Sequence, residues 1–305
     1  MNKTVRPAAG KQPRGMGFRG NDWLALSAAL VTVALWSSNF PVIRYANQVY
    51  APGHIALLRC AFAAAPLAVY AAIVRLRLPD VSDWPAFVFF GLCAMSLSSV
   101  GLAFGLETVS AGAGSLVIGT IPVFAALLAG AFLRERIGWI GWLGVAVSFA
   151  GVGVIAVGEG PGLRLNWGVA LLMMSAFFQA VFYVFQKPYL RRYSPMEITC
   201  YIVWSGAAGL LIFAPGLPAA IAAAPLTHTL ALAYQGCFPL AIAFATWSYA
   251  LRHAKAAKVT SAVYFMPLLS YTLAYVWLAE EPSALSLLGG ATAIGGMVLL
   301  NVWGR

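Results

Sequence analysis

The chain has 305 residues, 61% of them hydrophobic and 9% charged, with a mean hydropathy of +0.83. Soluble domains carry roughly 25% charged residues, so a water-soluble globule is excluded. The formal charge is +10, but the Lys and Arg residues lie at the ends of apolar runs and form no basic patch with interleaved aromatics, so nucleic acid is not an expected partner.

Residues 1–22 are polar and basic and predict a cytoplasmic tail. Apolar runs of about 20 residues, the length that crosses a bilayer, then predict ten helices, at 23–43, 54–74, 84–106, 112–132, 138–157, 166–187, 196–214, 227–250, 258–279 and 284–303. The first run follows a basic stretch, as in a signal peptide, but closes on Ser37-Ser38-Asn39-Phe40-Pro41 without a small-residue cleavage site. It is read as a helix, with Trp36, Asn39 and Phe40 at i, i+3 and i+4. The second run holds Arg59 about five residues inside its outer end, roughly 7–9 Å deep at 1.5 Å per residue. Snorkelling to the interface, a structural ion pair or attraction for a substrate carboxylate would each suit that depth.

Ser96, Ser98 and Ser99 in the third run offer hydroxyls to a solute or back-bond to their own helix. Pro122 in the fourth and Pro267 in the ninth interrupt the backbone ladder and mark hinges or static kinks. Gln179, Phe182, Tyr183 and Gln186 place two amides and two aromatics on one face of the sixth. That face is expected to point inward, because glutamine facing lipid is costly; glue between helices is the alternative. The eighth adds Phe244, Trp247 and Ser248, and the ninth a stripe of Thr260, Tyr264, Tyr271 and Tyr275, of which Tyr264 is the better cavity candidate and Tyr275 reads as an interfacial anchor. Cys60, Cys93, Cys200 and Cys237 sit in apolar stretches without CxxC spacing or accompanying histidines. No disulfide framework, metal site or cofactor is expected.

With the amino terminus in the cytoplasm, every Lys and Arg except Arg44, Arg59 and Arg164 falls in the tail, an inner connection or the carboxyl terminus. The positive-inside rule therefore places both termini in the cytoplasm. Arg44 and Lys187 occupy matching span ends on opposite faces, as anchors or as markers of the two mouths.

At an offset of 145, Ile121-Pro122-Val123 falls on Met266-Pro267-Leu268, Glu135 on Glu280, Gly144 on Gly289 and Gly151 on Gly296. Two halves follow, 23–157 and 166–303, each of five spans and together one transport unit. An odd-span unit repeated in one chain crosses the membrane in opposite senses, the inverted repeat of secondary transporters, whose substrate sits between the halves near the midplane. Gly144-Ser148-Gly151 and Gly289-Ala293-Gly296 form small-residue stripes that either pack the scaffold or make a homodimer contact. A monomer is the expected state.

The chain also resembles the drug/metabolite transporter superfamily and, within it, the ten-helix EamA-type exporters. The resemblance is carried by Trp36-Ser37-Ser38-Asn39-Phe40, Leu58-Arg59, Ser110-Ala111 through Ser115 to Ile121-Pro122, Leu133-Arg134-Glu135, Lys255-Ala256-Ala257 through Pro267, and Leu278-Ala279-Glu280. It is similar above all to the aromatic amino-acid exporters of that family. The resemblance implies an inner-membrane transporter that exports aromatic and other hydrophobic amino acids by alternating access. Another cargo, such as a drug or a nucleotide sugar, is the alternative; a lipid-modifying enzyme would need a His/Asp/Glu grouping that the spacing does not supply. Glu135 and Glu280 read as helix caps, and no Asp or Glu sits at mid-membrane, so a facilitator, or a driving ion held by neutral groups, is expected.

Overall fold

The computed structural model describes residues 20–134, 136–160, 165–253, 262–281 and 283–303, and its regular elements are all helical. Ten helices follow in order: α1 (Gly20–Ala46), α2 (Pro52–Val74), α3 (Val81–Thr108), α4 (Ala111–Leu133), α5 (Trp139–Gly158), α6 (Trp167–Phe185), α7 (Pro195–Phe213), α8 (Leu226–Gln235 continuing to Ala243–His253), α9 (Met266–Leu278) and α10 (Ala284–Trp303). Nine are long and apolar enough to cross a membrane; α9, at 13 residues, is a shorter apolar helix led in by a 3-10 turn, Ala262–Phe265. The first part of the expected 258–279 span lies outside the described residues. A short helix, Leu217–Ala223, stands between α7 and α8 where only a connection was expected.

Local irregularities recur in both halves at the repeat offset. Wide-turn π segments occupy Leu92–Leu97 of α3 and Gly236–Ile242 of α8. α4 breaks at Gly119-Thr120 and resumes at Ile121, while α9 begins at Met266 after its 3-10 turn. Pro122 and Pro267 therefore stand in the first turn of a new helix segment, where proline's missing N–H costs nothing, and not inside a continuous ladder. Both segments end on a left-handed residue, Arg134 at φ 56° and Ala279 at φ 53°.

Packing follows the inverted repeat. α1 lies against α8 and α9 of the other half, and α6 lies against α3 and α4. α5 and α10 form the most extensive pair. Their small-residue stripes meet each other: a Cβ on Gly144 would come 2.6 Å from the Gly296 carbonyl oxygen, and one on Gly289 would come 2.6 Å from that of Gly151. Ser148 Oγ donates to the Ala293 carbonyl at 2.9 Å across the same seam. The stripes are thus used within the chain.

The odd-numbered helices end on one face, near Arg44 and Glu280, and the even-numbered ones on the other, near Lys187. Each face carries at least one ion pair between the halves. On the Glu280 face Arg44 Nε meets Glu280 Oε1 at 2.9 Å. On the Lys187 face Arg192 meets Asp80 at 2.6 Å and Asp83 at 2.8 Å, and Tyr193 donates to Asp83 at 2.6 Å.

Candidate functional site

A cavity of about 1570 Å³ lies between the halves. Its wall joins residues of α1, α2, α3, α4, α6, α7, α8, α9 and α10. Of the residues singled out in sequence, Trp36, Asn39, Phe40, Arg59, Ser99, Pro122, Gln179, Phe182, Tyr183, Gln186, Trp247 and Pro267 all line it. Ser98 and Phe244, also singled out in sequence, line it too, and Thr120 and Ser175 join them.

The cavity has a grading along its length. Toward the Lys187 face its wall includes Gln186, Ser194, His253 and Asn301, near the ends of α6, α8 and α10 and the start of α7. Toward the Glu280 face it stops beneath a fully buried layer that includes Ile43, Ile55, Leu106 and Val109. Above that layer Glu280 Oε2 accepts from the backbone N–H of Ala111, the first residue of α4, at 2.8 Å. Glu280 therefore caps a neighbouring helix start, while its Oε1 holds Arg44, whose Nη1 donates to the Leu106 and Glu107 carbonyls. Glu159 adds a second clasp, accepting from the Ser110 N–H at 2.8 Å and the Ser286 hydroxyl at 2.7 Å. Glu135, its repeat partner in sequence being Glu280, lies outside the described residues.

Within the cavity α1 and α8 contribute one cluster of aromatic rings. Trp36 lies 5.1 Å from Trp247 and 5.8 Å from Phe244 between ring centroids, and its Nε1 donates to the Pro239 carbonyl in the α8 wide turn. That carbonyl lies within the π winding of α8, where the ladder departs from regular α geometry. Asn39, one turn along α1, accepts from the Gln235 amide of α8. Gln235 is fully buried and its Oε1 has no partner. On α6, Gln179 and Tyr183 interact one turn apart, and Ser175 pairs with Ser98 of α3 at 2.9 Å.

Arg59 is 4% exposed, and neither Nε nor Nη1 has a hydrogen-bond partner. It stands in the cavity wall, buried and not reaching an interface, and among the described residues no ion pair holds it. Among the described residues the cavity wall carries no Asp or Glu.

Other expected site residues lie elsewhere. Ser96 is outside the cavity wall; its hydroxyl donates to the Gly206 carbonyl of α7 at 2.8 Å. Arg44 is part of the Glu280-face clasp. Lys187 lines an adjoining cavity of about 520 Å³ with Arg136, and the two cavities share Pro122, Ala125, Tyr183 and Asn301. The Tyr264 side chain, and Thr260, lie outside the described residues. Tyr271 is partly buried, its hydroxyl buried without a partner and its ring against Gly112, while Tyr275 is 59% exposed, as an interfacial anchor is. Gln235 and Glu159 were not singled out in sequence. A glutamine within an apolar run was the one available signal for the first; for the second there was none.

Comparison with known proteins agrees with this architecture. A "Probable terminal-alkyne amino-acid exporter" of Streptantibioticus cattleyicolor is 37% identical over 277 residues, covering 91% of this chain and 93% of that protein. "Uncharacterized transporter YdfC" of Bacillus subtilis is 34% identical over 265 residues, 87% of each. A "Probable amino-acid metabolite efflux pump" of Salmonella typhimurium is 23% identical, covering 90% of this chain and 94% of that one. A solved structure described as "Crystal structure of protein" matches with a TM-score of 0.60 at 20% identity, over 92% of this chain and 97% of that chain, a likeness of fold alone. The model of the EamA-like transporter family matches twice, at residues 23–157 and 166–302. The chain, a multi-pass membrane transporter of two repeats and not an enzyme, belongs to the EamA-like transporter family.

Proposed function

We propose that the protein exports amino acids, the aromatic and other hydrophobic ones foremost, across a bacterial-type inner membrane by alternating access. The observation that carries this reading is the cavity between the halves, where the Trp36–Trp247–Phe244 cluster shares one wall with the amides of Asn39, Gln179 and Gln186. An apolar lining with a few convergent polar groups suits a small solute with an apolar side chain and a polar head. The amino-acid exporters among its relatives support the same cargo.

The positive-inside bias assigns the Lys187 face to the cytoplasm. In this orientation both termini are cytoplasmic, the cavity is reached from inside, and the Arg44–Glu280 and Glu159 clasps close the outer side. Export then requires that the cavity close at Gln186, Ser194 and Asn301 while the outer clasps part, as one half rocks against the other. The site works as a monomer.

The test is uptake of radiolabelled phenylalanine, tryptophan, methionine and threonine by liposomes holding the purified protein, with and without a proton or sodium gradient. Flux of phenylalanine and tryptophan above that of threonine, present without a gradient, is the expected result. Absence of flux for all four amino acids refutes the cargo and leaves the family.

A further inference from the structure

We propose that Arg59 is the anchor for a carboxylate on the transported solute, so that the cavity selects carboxylate-bearing molecules and rejects the corresponding bare amines. This rests on the reading of the cavity as the transport site.

Arginine stays charged in a protein, and an unpaired charge taken out of water is strongly unfavourable. Arg59 is 96% buried by its 4% exposure, two of its three guanidinium nitrogens have no partner, and no described acidic residue lines the cavity it borders. A structural arginine in such a place has a fixed carboxylate or a set of carbonyls around it, as Arg44 does with Glu280, Leu106 and Glu107. Arg59 has neither. Its nearby polar neighbours, Cys60 and Ser99, are occupied with each other at 3.9 Å. The missing counter-charge is therefore something that arrives through the cavity.

The chemistry of the group narrows what arrives. A guanidinium presents parallel N–H donors in a plane, which match the two oxygens of a carboxylate or phosphate. A phosphate would bring about two negative charges, whereas the wall pairs one arginine with aromatics, amides and hydroxyls. A single negative charge is the better balance. The second half offers no counterpart: at the repeat position stands Ile202, fully buried. Arg59 is thus the one Lys or Arg among the described residues of the wall, and a solute with one carboxylate and an apolar remainder has a single preferred orientation. Lys187 and Arg136 in the adjoining cavity add to the positive potential at the approach, which attracts anions and repels amines lacking a carboxylate.

The experiment uses the full chain in liposomes and compares phenylalanine with phenethylamine, its decarboxylated form, and with 3-phenylpropionate, which keeps the carboxylate and lacks the amine. Wild type is expected to carry phenylalanine, to be inhibited by 3-phenylpropionate, and to ignore phenethylamine. Arg59→Met should lose phenylalanine flux by about tenfold or more, the scale of one charge-assisted hydrogen bond, and Arg59→Lys should keep part of it. The variant's thermal midpoint in detergent should equal or exceed that of wild type, because an unpaired buried charge has been removed; a structural arginine would lower it. If Arg59→Met fails to fold, Arg59→Lys, which keeps charge but not the planar fork, carries the comparison.

Equal flux of phenylalanine in wild type and Arg59→Met, or transport of phenethylamine as readily as phenylalanine, overturns the proposal. If wild type moves no amino acid, the cargo reading has failed, and thermal stabilisation decides the anchor separately. A shift with 3-phenylpropionate in wild type and none in Arg59→Met upholds a carboxylate site. A shift with inorganic phosphate alone, or with neither, refutes it.

Discussion

Replacing Glu280 by Gln tests whether the clasp on the Glu280 face sets the balance between closed and open forms. The carboxylate makes two bonds that tie separate elements, Oε1 to Arg44 Nε at 2.9 Å and Oε2 to the Ala111 N–H at 2.8 Å. Gln preserves the size and one acceptor but removes the charge. A hydrogen bond involving a charged group contributes about 1.5–3 kcal/mol against about 0.5–1.5 for a neutral one. The carboxylate at the start of α4 adds about 0.3–1 kcal/mol through the helix dipole. The side chains of Arg44 and Glu280 are 32% and 18% exposed, so solvent screening trims the sum to about 1–2 kcal/mol, a shift of about five- to thirtyfold in population. The reporter is Ile43→Cys, at a fully buried site of the layer below the clasp, in a background without Cys60, Cys93, Cys200 and Cys237. Intact cells are treated with a membrane-impermeant maleimide. Glu280→Gln should speed labelling of that cysteine by the same factor. A rate within twofold of the parent, at equal expression, would refute the assignment of the clasp as an energetic seal and reduce it to a local helix cap.

Gln179→Leu should depress phenylalanine flux several-fold while leaving the thermal midpoint near that of wild type, because Gln179 lines the cavity and holds no partner on another helix among the described contacts; normal flux would class it as packing. Gly151→Ala should destabilise the fold by about 1–3 kcal/mol, since its Cβ would sit 2.5 Å from the Gly289 carbonyl oxygen, a backbone atom that cannot swing aside; an unchanged midpoint in detergent would contradict the close approach of α5 and α10. Burial, with the hydrogen bond to Asp83, holds the Tyr193 phenol above its ordinary value of 10.0. A group raised on folding stabilises below its unfolded pKa and loses that contribution as pH climbs through the folded one. The difference in thermal midpoint between wild type and Tyr193→Phe should thus be constant up to about pH 10 and shrink above it, and a difference that shrinks between pH 7 and 9 would be inconsistent with that.

Hydropathy located the spans closely because lipid demands long apolar helices with every backbone bond satisfied. The expected 138–157 became Trp139–Gly158, and 284–303 became Ala284–Trp303. The repeat was legible from Pro122 and Pro267, and its structural echo goes further, to paired π segments and paired left-handed caps. Which serines of the third run face the cavity was not legible, because the wide turn at Leu92–Leu97 changes the winding and rotates the faces relative to one another. Ser96 meets Gly206 of α7, while Ser98 and Ser99 line the cavity. Arg59 could be placed in depth from its span, but whether a carboxylate waited beside it depended on nine other helices. Glu280 was expected to cap its own helix; folding brings Ala111 closer, from a part of the chain 169 residues away.

The α5–α10 seam has a bearing on why the two halves share one chain. Its closest approaches are glycine against backbone, at Gly144, Gly151, Gly289 and Gly296, a fit that leaves two free molecules little tolerance for misalignment when they meet. Tethered in one chain, the halves meet at an effective concentration in the millimolar range, and a contact of modest intrinsic affinity stays formed. Cut between the halves, α5 and α10 would have to find each other by diffusion in the bilayer, and assembly would become dependent on protein density.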